Sequence, residues 1–274
     1  MSKRRSGEMQ ISERELVSMT GDLDEIHRAT MPALHDAAAE WSEQLHDQGV
    51  ATVKAVARTT SRRGFLLSAG AVSLGGLVLA ACGKSSATTA TTTGGAGTTT
   101  GNGNPFTGDL AVAALAASLE NLAVATYQAG LDAATAGKLG AVPPAIATFA
   151  TTAQKQHKDH AAAWNSIITN AGKSAVSGVD LTVKNAVVTP GFAAVKDAAG
   201  LAKFALGLED AAAATYLNAI QNALTSAGAI KIAATIQPVE MQHAAILHFV
   251  LGDYPVPDSF AKTDGARPLS DMIG

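Results

Sequence analysis

Residues 119–127 read LENLAVATY and residues 208–216 read LEDAAAATY. Six of the nine positions are identical, and in both copies a Glu and a Tyr stand seven residues apart, Glu120 with Tyr127 and Glu209 with Tyr216. Seven residues make about two helical turns, so each pair lies on one face of its helix. Further along, QKQH at 154–157 and EMQH at 240–243 both end in Gln-His. The glutamates are offset by 89 (209 − 120) and the histidines His157 and His243 by 86 (243 − 157). Two copies of one helical hairpin account for both offsets.

Working outward, the pattern predicts four helices. The first runs from about Gly108 to Ala136, with Leu115, Leu119, Leu122, Tyr127 and Leu131 on its apolar side. Pro143-Pro144 start the second, which Ala171-Gly172 stop after Asn170. A long irregular connection, 172–194, separates it from a third helix, Ala199–Ala227, and a fourth, Ala229–Leu251, in which Pro238 must kink or restart the helix. A short turn, a long crossover and another short turn make an all-α, four-helix bundle of two antiparallel hairpins over 107–252. The Pro-rich tail 253–274 wraps the outside. Only 4% of the chain is aromatic and alanine supplies much of its 47% hydrophobic content, a composition of close-packed helices and not of sheet.

The acidic residues of this region are scarce. Downstream of Cys82 the chain has three glutamates, Glu120, Glu209 and Glu240, all at repeat-related positions on apolar stretches. A carboxylate on an apolar face is costly unless it is paired or holds a cation. With i and i+3 on one face, Glu240 and His243 can reach one ion.

One Glu from each of two helices and a Glu-x-x-His from the others resembles the ferritin-like di-iron and di-manganese carboxylate proteins. The resemblance implies that Glu120, His157, Glu209, Glu240 and His243 are metal ligands for iron or manganese, one or two ions, with Gln154 and His160 as weaker candidates. It further implies oxidation of ferrous iron, or handling of oxygen or peroxide. Carboxylates bridge and charge-balance hard cations while imidazole fills terminal positions. The sequence departs from the pattern at Gln154, where the family has a carboxylate, so three carboxylates face a di-ferrous charge of four. His160 or Asp159 is positioned to compensate, off the inner face, and His248 is a surface or core histidine. Tyr127 and Tyr216 are expected as core tyrosines with satisfied hydroxyls before second-layer donors. The alternative is a metal-free bundle, its glutamates bonded to histidines and tyrosines, acting as a structural or binding module of the cell envelope.

Ahead of the bundle, residues 1–60 form a charged extension of one or two amphipathic helices, with Leu16, Met19, Leu23 and Ile26, then Leu34, Ala38, Trp41 and Leu45 after Pro32. Its plain reading is a solvated helix, and its Glu43-x-x-His46 a chance match. SRRGFLLSAGAVSLGGLVLAAC at 61–82 resembles a twin-arginine export signal (Arg62, Arg63) closed by a lipoprotein box with lipidation at Cys82. The resemblance implies the export machinery as a partner, a membrane anchor, and a place on the outer face of the cytoplasmic membrane or in the periplasm. The long stretch ahead of it suggests a translation start near Val53. Residues 83–106 read as a Ser/Thr/Gly linker. One cysteine allows no internal disulfide, and a net charge of −3 gives no reason to expect nucleic acid. No Ser-His-Asp spacing, phosphate-cradling glycine loop or Cys-based metal motif follows Cys82.

Overall fold

The computed structural model describes residues 12–59 and 106–272, and Arg62, Arg63, Cys82 and residues 83–105 of the linker lie outside the described residues. The described chain is all-helical. Helix α1 spans Glu13–Thr59, α2 Asp109–Thr135, α3 Pro144–Asn170, α6 Ala198–Asn222 and α7 Ala227–Leu251. Helix α2 packs on α3 and α6 on α7, giving the two hairpins joined by a long crossover. That crossover is not wholly irregular: it holds α4 (Leu181–Val183), a π-helical turn at Lys184–Val188 and α5 (Thr189–Ala194). A final turn, α8 (Leu269–Met272), touches α2 and α6.

Local chemistry sets the ends. Pro144 opens α3 with the fixed φ that a first helical turn wants. The side chains of Asp197 and Ser226 accept from the Gly200 and Ala229 amides at the starts of α6 and α7. Gly252 closes α7 in the left-handed region at φ 79°. Pro238 does not restart the helix, and α7 runs through it. The Asp109 carboxylate, at the start of α2, accepts from the backbone amides of Thr225 and Ser226, which pins the α6–α7 turn to the other hairpin.

The solvated-helix expectation for the N-terminal stretch is corrected. Helix α1 is one element running through Pro32, and it lies along α3 and α7. It buries Leu16, Thr20, Leu23, His27, Leu34, Ala37, Ala38 and Trp41. Residues ahead of Val53 therefore supply part of the core. Ile26 faces out, because the inward stripe passes through Thr20 and His27 instead. Trp41 meets Trp164 edge-on at 6.4 Å, and a Cβ at Gly228 would stand 2.4 Å from the Trp41 Cβ, so only glycine lets α7 come this close. Truncating a tryptophan buried this way costs about 3–5 kcal/mol.

Two apolar clusters form. One gathers Trp41, Trp164, Ile167, Ile232 and Ile236, and the other Leu16, Leu23, Phe149, Leu206 and Leu247. The buried carboxylates and imidazoles belong to neither.

Candidate metal centre

Six buried side chains converge from four helices: Glu120 from α2, His157 and His160 from α3, Glu209 from α6, and Glu240 and His243 from α7. They fall into two groups, each with one atom per residue within 4.8 Å of the others. Glu120, His157, His160 and Glu240 make the first, and His157, Glu209, Glu240 and His243 the second. Either group can hold a metal ion.

The grouping defines an approximate two-fold relation. Glu120 answers Glu209, His160 answers His243, and the two shared positions are held by Glu240 on one side and His157 on the other. The His157 ring reaches both halves, with Nδ1 2.8 Å from Glu120 and Nε2 3.3 Å from Glu209. The register expected from the Gln-His repeat is thereby corrected. Structurally, His157 stands opposite Glu240 and not opposite His243, so the motif on α3 is His157-x-x-His160 in place of Glu-x-x-His. Gln154 is engaged elsewhere: its amide donates to the Val124 carbonyl and to Gln128, and Lys158 donates to its oxygen. His160 enters the site one turn further along α3, with Nδ1 3.0 Å from Glu240.

Around this group sits a layer of hydrogen bonds that crosses between the repeats. Tyr127 of α2 donates to Glu209 of α6, and Tyr216 of α6 donates to Glu120 of α2 at 2.5 Å. Trp164 donates in turn to the Tyr216 oxygen at 2.9 Å. Both hydroxyls are satisfied, as expected of core tyrosines, and the groups that satisfy them are the carboxylates of the cluster. Gln156, which the sequence reading passed over, is fully buried, and its Oε1 lies 2.8 Å from His243 Nε2. An amide oxygen only accepts, so Nε2 carries the proton and Nδ1 faces Glu209 and Glu240, at 3.3 Å from each. A histidine fixed this way by its outer nitrogen is the usual arrangement around a metal.

The electrostatics show what the cluster costs without a cation. Burial alone would raise the Glu120 carboxyl, but the charge of His160 and the hydrogen bond from His157 outweigh it and hold it at about 2. Glu209 is likewise held well below the usual range, burial being overcome by His243 and His157. On the other side, burial would lower the imidazoles. The charges of Glu240 and Glu209 nevertheless push His157 well up, and Glu120 brings His160 to about 9. His243 is raised in the same way, chiefly by Glu209. Burial, followed by the neighbouring carboxylate, drives both tyrosine hydroxyls far above their usual value, so they remain donors. The interior is a set of anions waiting for positive charge, supplied by protons in the absence of an ion.

Hydrogen bonding does not exhaust the site. Both oxygens of Glu240 and both ring nitrogens of His160 are buried with no hydrogen-bond partner, although His160 Nδ1 lies close to Glu240 Oε1. Donor atoms that approach without hydrogen-bond geometry fit a shared cation. Other candidates lie apart: Glu43 and His46 are exposed on α1, Asp159 pairs with Lys155 and His27, and His248 stands 4.0 Å from Asp253. His27 packs its ring 5.3 Å from that of His160, and burial, with the charge of His160, lowers it to about 4.

No curated protein and no solved structure matches the chain. The family described as "Ferritin-like domain" matches residues 108–253, the two hairpins and every residue of the cluster. With a bundle of this topology and a carboxylate–histidine core between its hairpins, the chain belongs to the ferritin-like domain family.

Proposed function

We propose that this bundle binds iron or manganese at the cluster and uses it for redox chemistry, oxidation of ferrous iron or handling of oxygen or peroxide. The observation that carries the reading is the set of unpartnered donors, Glu240 Oε1 and Oε2 with His160 Nδ1, within a buried group of three carboxylates and three imidazoles. Glu120 and His160 would hold one ion, Glu209 and His243 the other, with Glu240 shared. Three carboxylates leave one positive charge unmatched against two divalent ions, and His157 stands where a fourth carboxylate would cancel it. The first ion therefore binds more tightly than the second. A bound ion would supply one-electron chemistry, and the chain's own contribution is positional. Tyr127 and Tyr216 hold the outer carboxylates, Gln156 fixes the His243 tautomer, and the flanking apolar clusters exclude water. The test is metal content of the purified full chain after anaerobic reconstitution with Fe(II) or Mn(II): about one ion or more per chain supports the reading, and a chain that stays metal-free sinks it.

We further propose that the chain is exported through the twin-arginine pathway and held by lipid at Cys82, on the sequence of 61–82. This has a consequence for α1, which precedes the signal yet packs on the bundle that follows it. Cleavage ahead of Cys82 would leave α1 behind, and the anchored form would expose the α3/α7 face. Peptide mass spectrometry of the membrane fraction decides it: the reading requires acylated Cys82 at the N-terminus and no peptides from residues 13–59.

A further inference from the structure

The two grooves between the hairpins are treated differently. On one face, α1 fills the groove between α3 and α7 with a whole helix. On the opposite face α2 and α6 barely touch, and the space between them is roofed by the crossover at Val183, Val187 and Val188 and by the tail at Gly265–Pro268. Under this roof is a cavity of about 350 Å³ that reaches Glu120 and His157. A second, of about 90 Å³, reaches His157 and Glu209 from the other end. The two share Ala123, Thr126, His157, Leu208 and Ala212, so they adjoin at the cluster as two chambers along one apolar path. It follows α2 from Val112 to Ala134, about 33 Å at the rise of an α-helix.

The lining says what belongs there. Apart from the cluster and its tyrosines the walls are mostly alanine, leucine, valine and glycine, with Phe149, Phe204 and Trp164 among them. Helix α2 is apolar enough along its length to pass for a membrane-spanning helix, yet only a third of that window is buried. Its remaining apolar surface includes the wall of this passage. Gly207 lines its exposed edge, where an added Cβ would meet nothing within 4 Å. Among the described residues lining it the one cation is Arg267, whose guanidinium contacts two carboxylates, Asp180 at 3.5 Å and Asp271 at 3.1 Å, so its charge is already offset, while its buried Nε has no hydrogen-bond partner.

We propose that this passage binds an unbranched, uncharged aliphatic chain and presents its middle to the cluster. The inference names the ligand class of the site proposed above and rests on that reading for its purpose, though binding itself needs no metal. The probes are hexadecan-1-ol and hexadecanoate, added to the metal-free full chain and followed by native mass spectrometry and competition with an environment-sensitive apolar dye. Hexadecan-1-ol binds one per chain, and hexadecanoate binds at least about tenfold more weakly, because its charge would be desolvated beside Asp180 and Asp271. Gly207→Leu, which fills open space without a clash, weakens the alcohol by at least about tenfold, the order set by burying a side chain of that size, and leaves the circular dichroism and metal content of the protein as they were. No binding of the alcohol overturns the proposal, as does binding that Gly207→Leu leaves unchanged. Equal binding of acid and alcohol overturns the uncharged class. Metal-free protein that takes the alcohol but never takes iron or manganese defeats the metal reading alone.

Discussion

The two halves of the cluster are built from the same parts and differ at one. Glu120 with His160 and Glu209 with His243 are equivalent pairs, each carboxylate steadied by a tyrosine from the other repeat. At the shared positions the equivalence fails, with Glu240 on α7 facing His157 on α3. A carboxylate can lie between two cations and neutralise part of both, whereas an imidazole offers each half one nitrogen and no charge when neutral. The duplicated hairpin supplies the geometry of a two-ion site, and this one residue makes its halves compete for charge.

The largest effect is expected from removing what both halves share. Glu240→Gln keeps the shape and deletes the central charge, and metal affinity measured by chelator competition falls by more than about a hundredfold, beyond the ten- to hundredfold typical of outer-layer partners. Almost as large is the effect of pH on metal-free protein. His160, raised to about 9 from its ordinary 6.5, contributes stability that is complete below pH 6.5 and is lost as pH rises to 9. Glu120, lowered to about 2 from 4.5, contributes stability present above pH 4.5 and lost as pH falls towards 2. Chelator-treated protein should therefore be most stable between these limits and lose on the order of 3 kcal/mol between pH 6.5 and 9 in urea titrations. Bound metal should flatten that decline, because the ion replaces the protons.

His157→Glu makes the shared positions alike. A second ion should then bind at least about tenfold more tightly, since a unit charge at about 4 Å is worth up to 4 kcal/mol before desolvation is subtracted. Titration of bound metal per chain reads this directly. Smaller still are the tyrosine changes. Tyr216→Phe strips Glu120 of its donor and leaves Trp164 unpaired, while Tyr127→Phe affects Glu209 alone. Both should weaken metal by about tenfold, with Tyr216→Phe costing about 1–3 kcal/mol more stability in thermal unfolding because a buried donor loses its partner.

Much of this was legible in the chain. The duplicated Leu-Glu helices and the paired Gln-His motifs marked the hairpins, and the scarcity of glutamate marked the three carboxylates. The register on α3 was not legible from the repeat, because matching Gln-His to Gln-His sets His157 against His243. The spacing of His157 and His160 carried the better signal, three residues apart like Glu240 and His243, and depends on which face of α3 turns inward. Gln156 gave no sign, since a lone glutamine becomes informative only when a neighbour's nitrogen meets it. Helix α1 was misread because its buried stripe includes Thr20, His27 and two alanines, which look solvent-facing until a bundle with Gly228 is there to receive Trp41.

The central claim is that the buried carboxylates and imidazoles are arranged for a cation and not for one another. Anomalous diffraction at the iron or manganese edge, from crystals of the full chain grown with Fe(II) or Mn(II), tests it most directly. A peak is expected at about 2.0–2.2 Å from a Glu240 oxygen and from a nitrogen of His160 or His243, by analogy with other first-row ions. Density showing the same side chains bonded to each other, with no peak among them, would contradict it.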